Sequence, residues 1–361
     1  MTRSLFNKLF PTPKYLEMPA VGLDISDQSV KYLELTPKGD AHLVKKFGEK
    51  EIPLGIIEAG KIKDQKKLEE ILHALKEERW IKRVFASLPE EEAFIVRIPM
   101  PAMSLTELRG AIELGLEEHV PIPAKDAVFD YEILKRPQSE TDTFDLVVSV
   151  MPVATVASYS NALKNAGIEL LALEIEAQAI ARSLTPFHAR ETTLVVDFGK
   201  TRTSFLVTSG HKTFSSSTVN NIGGEDITKA IQKNLKVDYA TAEKIKITKG
   251  LLHSRRDKEL LFSVIPVVSI LKDEVAKQFS FWESKTGSHE KEKIERVVLA
   301  GGQATLPGLA EYLALGLGVP VELGNVWTNT QLMAVALPPM TFNQSLRYAT
   351  AMGLALRNAP R

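Results

Sequence analysis

Residues 21–35, VGLDISDQSVKYLEL, carry the clearest indication of a fold in this sequence. The apolar start of this stretch, Val21 to Ile25, is typical of a buried strand, and the alternating run from Ser29 to Leu35 is typical of a second strand. The polar turn between them predicts a β-hairpin with Asp24 near the end of its first strand. Turn amides and a carboxylate placed in this way can hold phosphate oxygens and, through water, Mg²⁺.

The second half of the chain begins with a similar strand-turn-strand pattern. The run LVVDFG, residues 194–199, predicts a strand with Asp197 near its end, and a polar turn leads from it into another apolar strand. When the hairpins are aligned on Asp24 and Asp197, Tyr32-Leu33 lies over Phe205-Leu206. Unless this match is a coincidence, it predicts two related lobes whose turns clamp the β- and γ-phosphates of a nucleotide across a cleft.

A glycine-rich segment, VVLAGGQ at residues 297–303, follows later in the chain. It predicts a buried strand that runs into Gly301 and Gly302, followed by a helix that opens at Pro307. Paired glycines allow the backbone to pass close to a flat ligand. Alone the segment could be an ordinary strand-to-helix turn, but its order behind two aspartate hairpins favours a nucleotide site.

Composition excludes several classes of function. The chain has 361 residues, with 45 basic and 45 acidic side chains, so no global field favours nucleic acid or anionic lipid. It has no cysteine, which removes disulfides, thiolate catalysis and cysteine-bound metal. No apolar run approaches the roughly 18 residues of a membrane-spanning helix. Residues 1–13 are interpreted either as a frayed tail or as a short amphipathic segment that touches membrane or a partner.

The middle of the chain, from about Glu92 to Val150, has a different character. A strand is predicted from Ala93 to Ile98, closed by Pro99, and two further strands are predicted after a helix. The motif SLTE at residues 104–107 has the form of a capping box, which marks the start of that helix. The helix is predicted to bury Leu105, Leu108, Ile112 and Leu116. A block of this size predicts a small separate subdomain.

These elements resemble the actin, Hsp70 and hexokinase superfamily, whose members carry two phosphate hairpins and a glycine-rich adenosine segment in this order. Residues 223–227, GGEDI, look like the Gly-Gly-Asp helix start of the bacterial actin relatives, and residues 242–246, AEKIK, look like their ribose segment. The resemblance implies that Glu243 and Lys246 flank ribose and adenine. Taken alone, these two side chains could equally form a solvated helix face.

Within the superfamily, the chain is most similar to the type IV pilus assembly PilM family, related to FtsA and MreB, from about residue 21 to 357. The similarity is carried by residues 21–31, 121–131, 166–176, 306–313 and 348–357. It implies a cytoplasmic ATP-binding protein at the inner face of the inner membrane. It further implies a groove beside the inserted subdomain that takes the cytoplasmic N-terminal peptide of a PilN-like inner-membrane protein. Self-association is possible, nucleic acid is not expected, and membrane contact is expected only through partners.

The expected fold is therefore an α/β, actin-like (ribonuclease H-like) bilobed ATPase fold with an inserted small α+β subdomain. The predicted divisions are an N-terminal tail (1–18), the opening part of the first lobe (19–88), the inserted subdomain (89–152), the crossover helices of the first lobe (153–190), the second lobe with the adenosine segment (191–335) and a C-terminal helix that returns to the first lobe (336–361).

The resemblance implies a full set of candidate ligands for ATP and Mg²⁺. The nucleotide ligands are Asp24, Ser26, Gln28, Ser29, Lys31, Asp197, Gly199, Lys200, Thr201, Thr203, Gly223, Gly224, Glu243, Lys246, Gly301, Gly302 and Gln303. Mg²⁺ is expected at Asp24 and Asp197 through water. In related ATPases the crossover helix begins with a residue that positions the attacking water, and Glu176 occupies that place. A surface or capping glutamate is an equally open interpretation of Glu176.

Three departures from the family pattern affect the expected chemistry. The first turn, usually Gly-Ser-Ser-Ser, contains Asp27, which adds a negative charge near the phosphates. The second turn offers Lys200 and Arg202, which either compensate for Asp27 or point to solvent. Gln303 replaces the usual third glycine of the adenosine segment. Together these changes predict a nucleotide binder that is at most a slow ATPase.

Two other functions compete with a nucleotide-dependent scaffold. A filament-forming division protein of the FtsA type shares an inserted subdomain, but such proteins usually end in an amphipathic membrane helix, and this sequence ends at Arg361 directly after the core helix. A small-molecule kinase of the superfamily would need an acidic base facing a sugar-sized pocket, and no segment suggests one. A P-loop is rejected because Leu194 stands where that motif requires glycine.

Overall fold

Two five-stranded sheets of the same topology organise the chain. The computed structural model describes residues 20–139, 141–220, 222–252, 257–286 and 293–358, so the predicted N-terminal tail lies outside the described residues. In chain order, the strands are β1 Val21–Ile25, β2 Ser29–Lys38, β3 Ala41–Glu51, β4 Ile57–Glu58, β5 Lys61–Ile62, β6 Arg83–Leu88, β7 Phe94–Pro101, β8 Ala127–Lys135, β9 Thr143–Pro152, β10 Glu169–Ile175, β11 Thr192–Phe198, β12 Arg202–Ser209, β13 Lys212–Asn220, β14 Ile294–Ala300 and β15 Val321–Leu323. The α-helices are α1 Gln65–Arg79, α2 Leu105–Gly115, α3 Val153–Asn165, α4 Glu176–Leu184, α5 Gly224–Leu235, α6 Tyr239–Lys249, α7 Lys258–Thr286, α8 Leu309–Leu317, α9 Phe342–Ser345 and α10 Ala349–Ala355.

The strand orders of the two large sheets correspond one to one. The first sheet has the order β3-β2-β1-β6-β10, and the second has β13-β12-β11-β14-β15. In each sheet two antiparallel pairs are followed by two parallel pairs. Asp24 pairs with Lys31 in the first hairpin, and Asp197 pairs with Ser204 at the same spacing in the second. The two lobes therefore repeat one topology, and their aspartates occupy equivalent positions.

A third sheet of three strands, ordered β7-β9-β8, has its own core with α2. The capping box is confirmed, since the Glu107 amide donates to Ser104 Oγ and Glu107 also caps the Ser104 amide. The expected burial of Leu105 is wrong: it is 47% exposed, because it stands at the first helical position outside the apolar stripe. Strand β7 also continues through Pro99, which an edge strand tolerates because proline lacks only the outward N–H.

Other boundaries differ from the predicted ones. Strand β3 is continuous from Ala41 to Glu51, and its pairing with β2 shifts register at a bulge. The helix expected to open at Pro307 begins at Leu309, because Gly308 has a positive φ of 86° and cannot belong to the helix. None of the helices in the described part of the chain has the length and apolarity needed to cross a bilayer. The predicted domain limits stay a prediction.

Helix α10 packs against elements of the first lobe. It packs on β1 on one side and on α4 on the other, and glycines allow both contacts. A Cβ at Gly22 would lie 2.0 Å from the Ala351 carbonyl oxygen, and a Cβ at Gly353 would lie 1.7 Å from the Ala179 carbonyl oxygen. The main core also contains second-sheet residues such as Val298 beside first-sheet residues. The lobes therefore share packed apolar contacts beneath the cleft between them.

Candidate functional site

A cleft of about 1170 Å³ is lined by residues of both hairpins. Fifteen of the eighteen predicted site residues line it: Asp24, Ser26, Gln28, Ser29, Lys31, Glu176, Asp197, Gly199, Lys200, Thr201, Glu243, Lys246, Gly301, Gly302 and Gln303. Three predicted residues, Thr203, Gly223 and Gly224, do not line it. The folded chain thus brings segments from five separate parts of the sequence to one place.

The three residues outside the cleft surface support its wall from behind. Thr203 is fully buried, and its hydroxyl donates to the Ile222 carbonyl at 2.6 Å. At Gly223, a Cβ would lie 2.4 Å from the Lys200 carbonyl oxygen, so glycine is needed for close backbone approach. Gly224 accepts a bond from Lys246 Nζ at 3.0 Å through its carbonyl. Their role in the structure is to hold the second turn against α5.

The first hairpin places a cation and two hydroxyls beside Asp24. Lys31 Nζ lies 3.5 Å from Asp24 Oδ2 and donates to Ser29 Oγ at 2.9 Å. The hydroxyls of Ser26 and Ser29 are 3.2 Å apart. Ser87 supports the turn from below, because its hydroxyl accepts from the Ile25 amide at 2.9 Å. This corner offers the donors that phosphate oxygens need next to a carboxylate that can hold a hydrated cation.

The second hairpin supplies Asp197 on the opposite side of the cleft. The pKa of Asp197 is raised to about 6, chiefly by burial and to a lesser extent by the nearby charge of Asp24, while Arg202 and Lys31 act in the opposite direction. Gly301, with φ of 85°, lies so close that a Cβ there would be 2.5 Å from Asp197 Oδ1. Among the described residues, no three carboxylate or imidazole groups converge closely enough to bind a metal directly.

The contacts of Arg202 distinguish between its two predicted roles, which were to compensate for Asp27 or to point to solvent. Its Nη2 atom donates to both carboxylate oxygens of Glu176 at 3.0 and 2.9 Å, and its Nη1 atom contacts Glu91 and lies 3.7 Å from Asp27. Arg202 therefore compensates for Asp27. Lys200 is exposed at the cleft mouth. Burial raises the pKa of Arg202's partner Glu91, with Arg202 opposing that effect.

Helix α6 lines the cleft with Glu243 and Lys246. Lys246 is only 2% exposed and bonds Glu243 at 2.9 Å, so the solvated-face interpretation is wrong for Lys246. Glu243 also accepts from the Thr228 hydroxyl at 2.6 Å. Burial lowers the pKa of Lys246, although Glu243 raises it. The side chain of Gln303 lies directly on Gly224, where a Cβ would be 2.1 Å from its amide carbon.

Sequence reasoning missed three residues that shape the site. Tyr239 and Ile247 line the cleft on the same face of α6 as Glu243, and their spacing of four residues on either side of it was the available signal. Glu91 lies in a short 3-10 turn at residues 90–92 and contacts Arg202. A run of three glutamates is usually a solvated surface, so no sequence signal pointed to its burial.

The burial of the Glu90 carboxyl leads us to expect an unusual pH dependence of the free energy of unfolding. Burial raises its pKa to about 7 from 4.5, against the lowering effects of Ser216 and the Ala177 amide. A carboxyl whose pKa is higher in the folded state takes up a proton on folding, so the free energy of unfolding falls as pH rises from about 4.5 to 7. We expect Glu90→Gln to remove this loss and to raise stability at pH 8 by up to about 3 kcal/mol.

Urea unfolding of both proteins at pH 5 and pH 8 measures the effect. The exposed Glu70→Gln substitution on α1 removes the same charge without burial and serves as the control. A Glu90→Gln protein that tracks the parent's stability at both pH values would contradict the prediction.

Several solved structures are similar to this chain over most of its length. A solved structure described as the PilM-PilN type IV pilus biogenesis complex is 25% identical, covers 95% of this chain and 99% of that chain, and has a TM-score of 0.76. Ethanolamine utilization protein EutJ from Carboxydothermus hydrogenoformans is 18% identical over 96% of this chain and 91% of its own, with a TM-score of 0.56. MreB 5 of Spiroplasma citri bound to AMPPNP is 12% identical over 94% of this chain and 96% of its own, also with a TM-score of 0.56.

These neighbours confirm the expected actin-like α/β fold. The model of a protein family described as type IV pilus assembly protein PilM matches residues 22–359, which is nearly the whole chain. The chain therefore belongs to the PilM family of type IV pilus assembly proteins.

Proposed function

We propose that this chain is a cytoplasmic ATP-binding scaffold at the inner face of the inner membrane, where it docks the N-terminal peptide of a PilN-like membrane protein. The complex would be that of a type IV pilus or of a related secretion or competence system. The proposal of ATP binding rests on one observation. Asp24 and Asp197 take equivalent positions in two matching hairpins, and both line the same cleft. The partner part is supported by the 25% identity to a protein solved in a PilM-PilN complex.

The phosphate end of the cleft fits a nucleotide triphosphate. Lys31 and Lys200 supply positive charge, and the hydroxyls of Ser26, Ser29 and Thr201 face the same cleft. Asp24 and Asp197 would hold Mg²⁺ through water, and the bound ion would supply charge neutralisation for the phosphates. Burial has raised the pKa of Asp197 beside Asp24, which is the electrostatic condition that a divalent cation relieves.

The other end of the cleft fits an adenosine. Tyr239 and Ile247 present exposed apolar surface on α6, and Glu243 between them can accept a bond from ribose hydroxyls. Gly301 and Gly302 also line the cleft, where a flat base could lie close to their backbone. Turnover is proposed to be slow or absent, because both oxygens of Glu176 are bonded to Arg202.

Isothermal titration tests both halves of the proposal. We expect the chain to bind ATP with Mg²⁺ and, separately, a synthetic peptide of the cytoplasmic N-terminus of a PilN-like protein. Lys31→Gln should weaken ATP binding by roughly 10- to 100-fold, since a hydrogen bond to a charged group contributes about 1.5–3 kcal/mol. Lys233→Gln, an exposed site on α5, removes the same charge and should leave binding unchanged. If neither ligand bound the parent protein, the proposal would fail.

A further inference from the structure

The Arg202 cluster links the two hairpins at the base of the cleft. Arg202 opens β12 of the second sheet, whereas its three carboxylate partners belong to connections of the first sheet. Glu176 begins α4, Glu91 lies in the turn after β6, and Asp27 lies in the turn between β1 and β2. One guanidinium therefore gathers three acidic groups that are far apart in sequence.

The cluster is shielded from solvent and anchored on both sides. The Arg202 side chain is 13% exposed, and those of Glu176 and Glu91 are each 6% exposed. Asp27 is held in place independently, because its carboxylate accepts from the Ala59 amide at 3.0 Å and from the Gly60 amide at 3.1 Å. A planar fork that reaches several carboxylates is a geometry that only arginine provides.

The hydrogen bonds that Glu176 accepts affect whether it can act as a base. Hydrolysis of ATP forms a bond from a water oxygen to the γ-phosphorus, breaks the bond to the β–γ bridging oxygen, and requires a base that takes a proton from the water. Glu176 is the residue at the start of the crossover helix, where such a base would stand. Both of its oxygens accept from Arg202, which fixes their direction. Burial raises the pKa of Glu176 above its usual range, and Arg202 opposes that rise.

We propose that Arg202 acts as a positioning residue that keeps Glu176 from activating water, so that ATP stays in the cleft as a structural ligand. The inference rests on the proposed ATP-binding function and adds the reason for slow turnover. Arg202 remains with the carboxylates when nucleotide binds, since its departure would leave Glu176, Glu91 and Asp27 buried together without a counter-charge. The opposite assignment, an arginine that moves to the γ-phosphate and accelerates hydrolysis, predicts the opposite mutational result.

The kinetic test compares Arg202→Gln and Arg202→Lys with the parent chain. At a pH above the raised pKa of Glu176, where its carboxylate can accept a proton, we expect Arg202→Gln to raise kcat for phosphate release from ATP with Mg²⁺ at least tenfold, with KM changed less than threefold. Arg202→Lys keeps the charge but not the fork, and its kcat should lie between the two. The double variant Arg202→Gln/Glu176→Gln should return to the parental rate, because the gain depends on Glu176.

A second variant and a second readout keep the test decisive if Arg202→Gln folds poorly. Arg202→Gln/Glu91→Gln removes one acidic partner along with the arginine and should show the same tenfold rise. In the protein without nucleotide, urea midpoints for Arg202→Gln, Glu176→Gln and their double variant should be strongly non-additive. Additive midpoints would show that the pair does not interact and would overturn the inference.

Dissociation constants for AMPPNP with Mg²⁺, measured on every variant, separate the two levels of failure. If the parent chain binds no nucleotide, the proposed function fails and this inference falls with it. If the parent binds nucleotide but kcat of the Arg202 variants is unchanged or lower, only the inference fails. A lower kcat together with weaker AMPPNP binding would assign Arg202 to the phosphate instead.

Discussion

Replacing Gly353 with alanine is expected to destabilise the chain by about 3 kcal/mol or more. The new Cβ would lie 1.7 Å from the carbonyl oxygen of Ala179 and 2.4 Å from its carbonyl carbon, far inside contact distance. Both partners are backbone atoms of packed helices, so no flexible side chain can move aside. Relief requires α10 to shift away from α4, which also disturbs its contact with β1 at Gly22.

Urea denaturation of the purified variant measures this effect, with the parent protein as reference. Gly110→Ala in α2 is the matched control, because a Cβ there meets no atom within 4 Å. The control should be stabilised by up to about 1 kcal/mol through the higher helix propensity of alanine. Equal midpoints for the Gly353→Ala protein and its parent would mean that α10 does not pack against α4 at this distance.

The sequence predicted well those features that local chemistry determines. The hairpins of Asp24 and Asp197 follow from alternating apolar residues around polar turns, and their matched register follows from the same pattern. The capping box at Ser104 was predictable because both partners lie within one turn of helix. Fifteen predicted site residues line one cleft. They could be predicted because the order of three short motifs in the sequence implied two facing lobes.

Features that depend on distant packing were not predictable from local patterns. Gly353 is one small residue in an apolar helix, and only its approach to Ala179 makes it necessary. Glu91 belongs to an acidic run of the kind that usually faces solvent, and only Arg202, more than a hundred residues away, gives it a buried partner. Thr203 was counted as a ligand because it belongs to the motif, but its hydroxyl bonds the backbone of Ile222.

Asp197→Asn is expected to change ATP affinity in a manner that depends on Mg²⁺. With Mg²⁺ present, affinity should fall by roughly 10- to 100-fold, since a charged ligand of the hydrated ion is lost. Without Mg²⁺, affinity should be unchanged or higher, because one negative charge has left the neighbourhood of the phosphates. Isothermal titration of ATP with Mg²⁺ or with EDTA measures both values on the same protein.

Asparagine has nearly the same shape as aspartate, so this substitution separates charge from packing at a half-buried position. Gly301 packs closely against Asp197, since a Cβ at position 301 would lie 2.5 Å from Asp197 Oδ1. Asp273→Asn on α7, where the carboxylate is 64% exposed and is not part of the cleft lining, controls for the change in net charge. Equal weakening with and without Mg²⁺ would contradict the metal role and would indicate that Asp197 only shapes the turn. Weaker binding with Mg²⁺, together with unchanged or tighter binding in EDTA, is the response expected of a carboxylate that lies near both the cation and the phosphates, as the two aspartate hairpins predict.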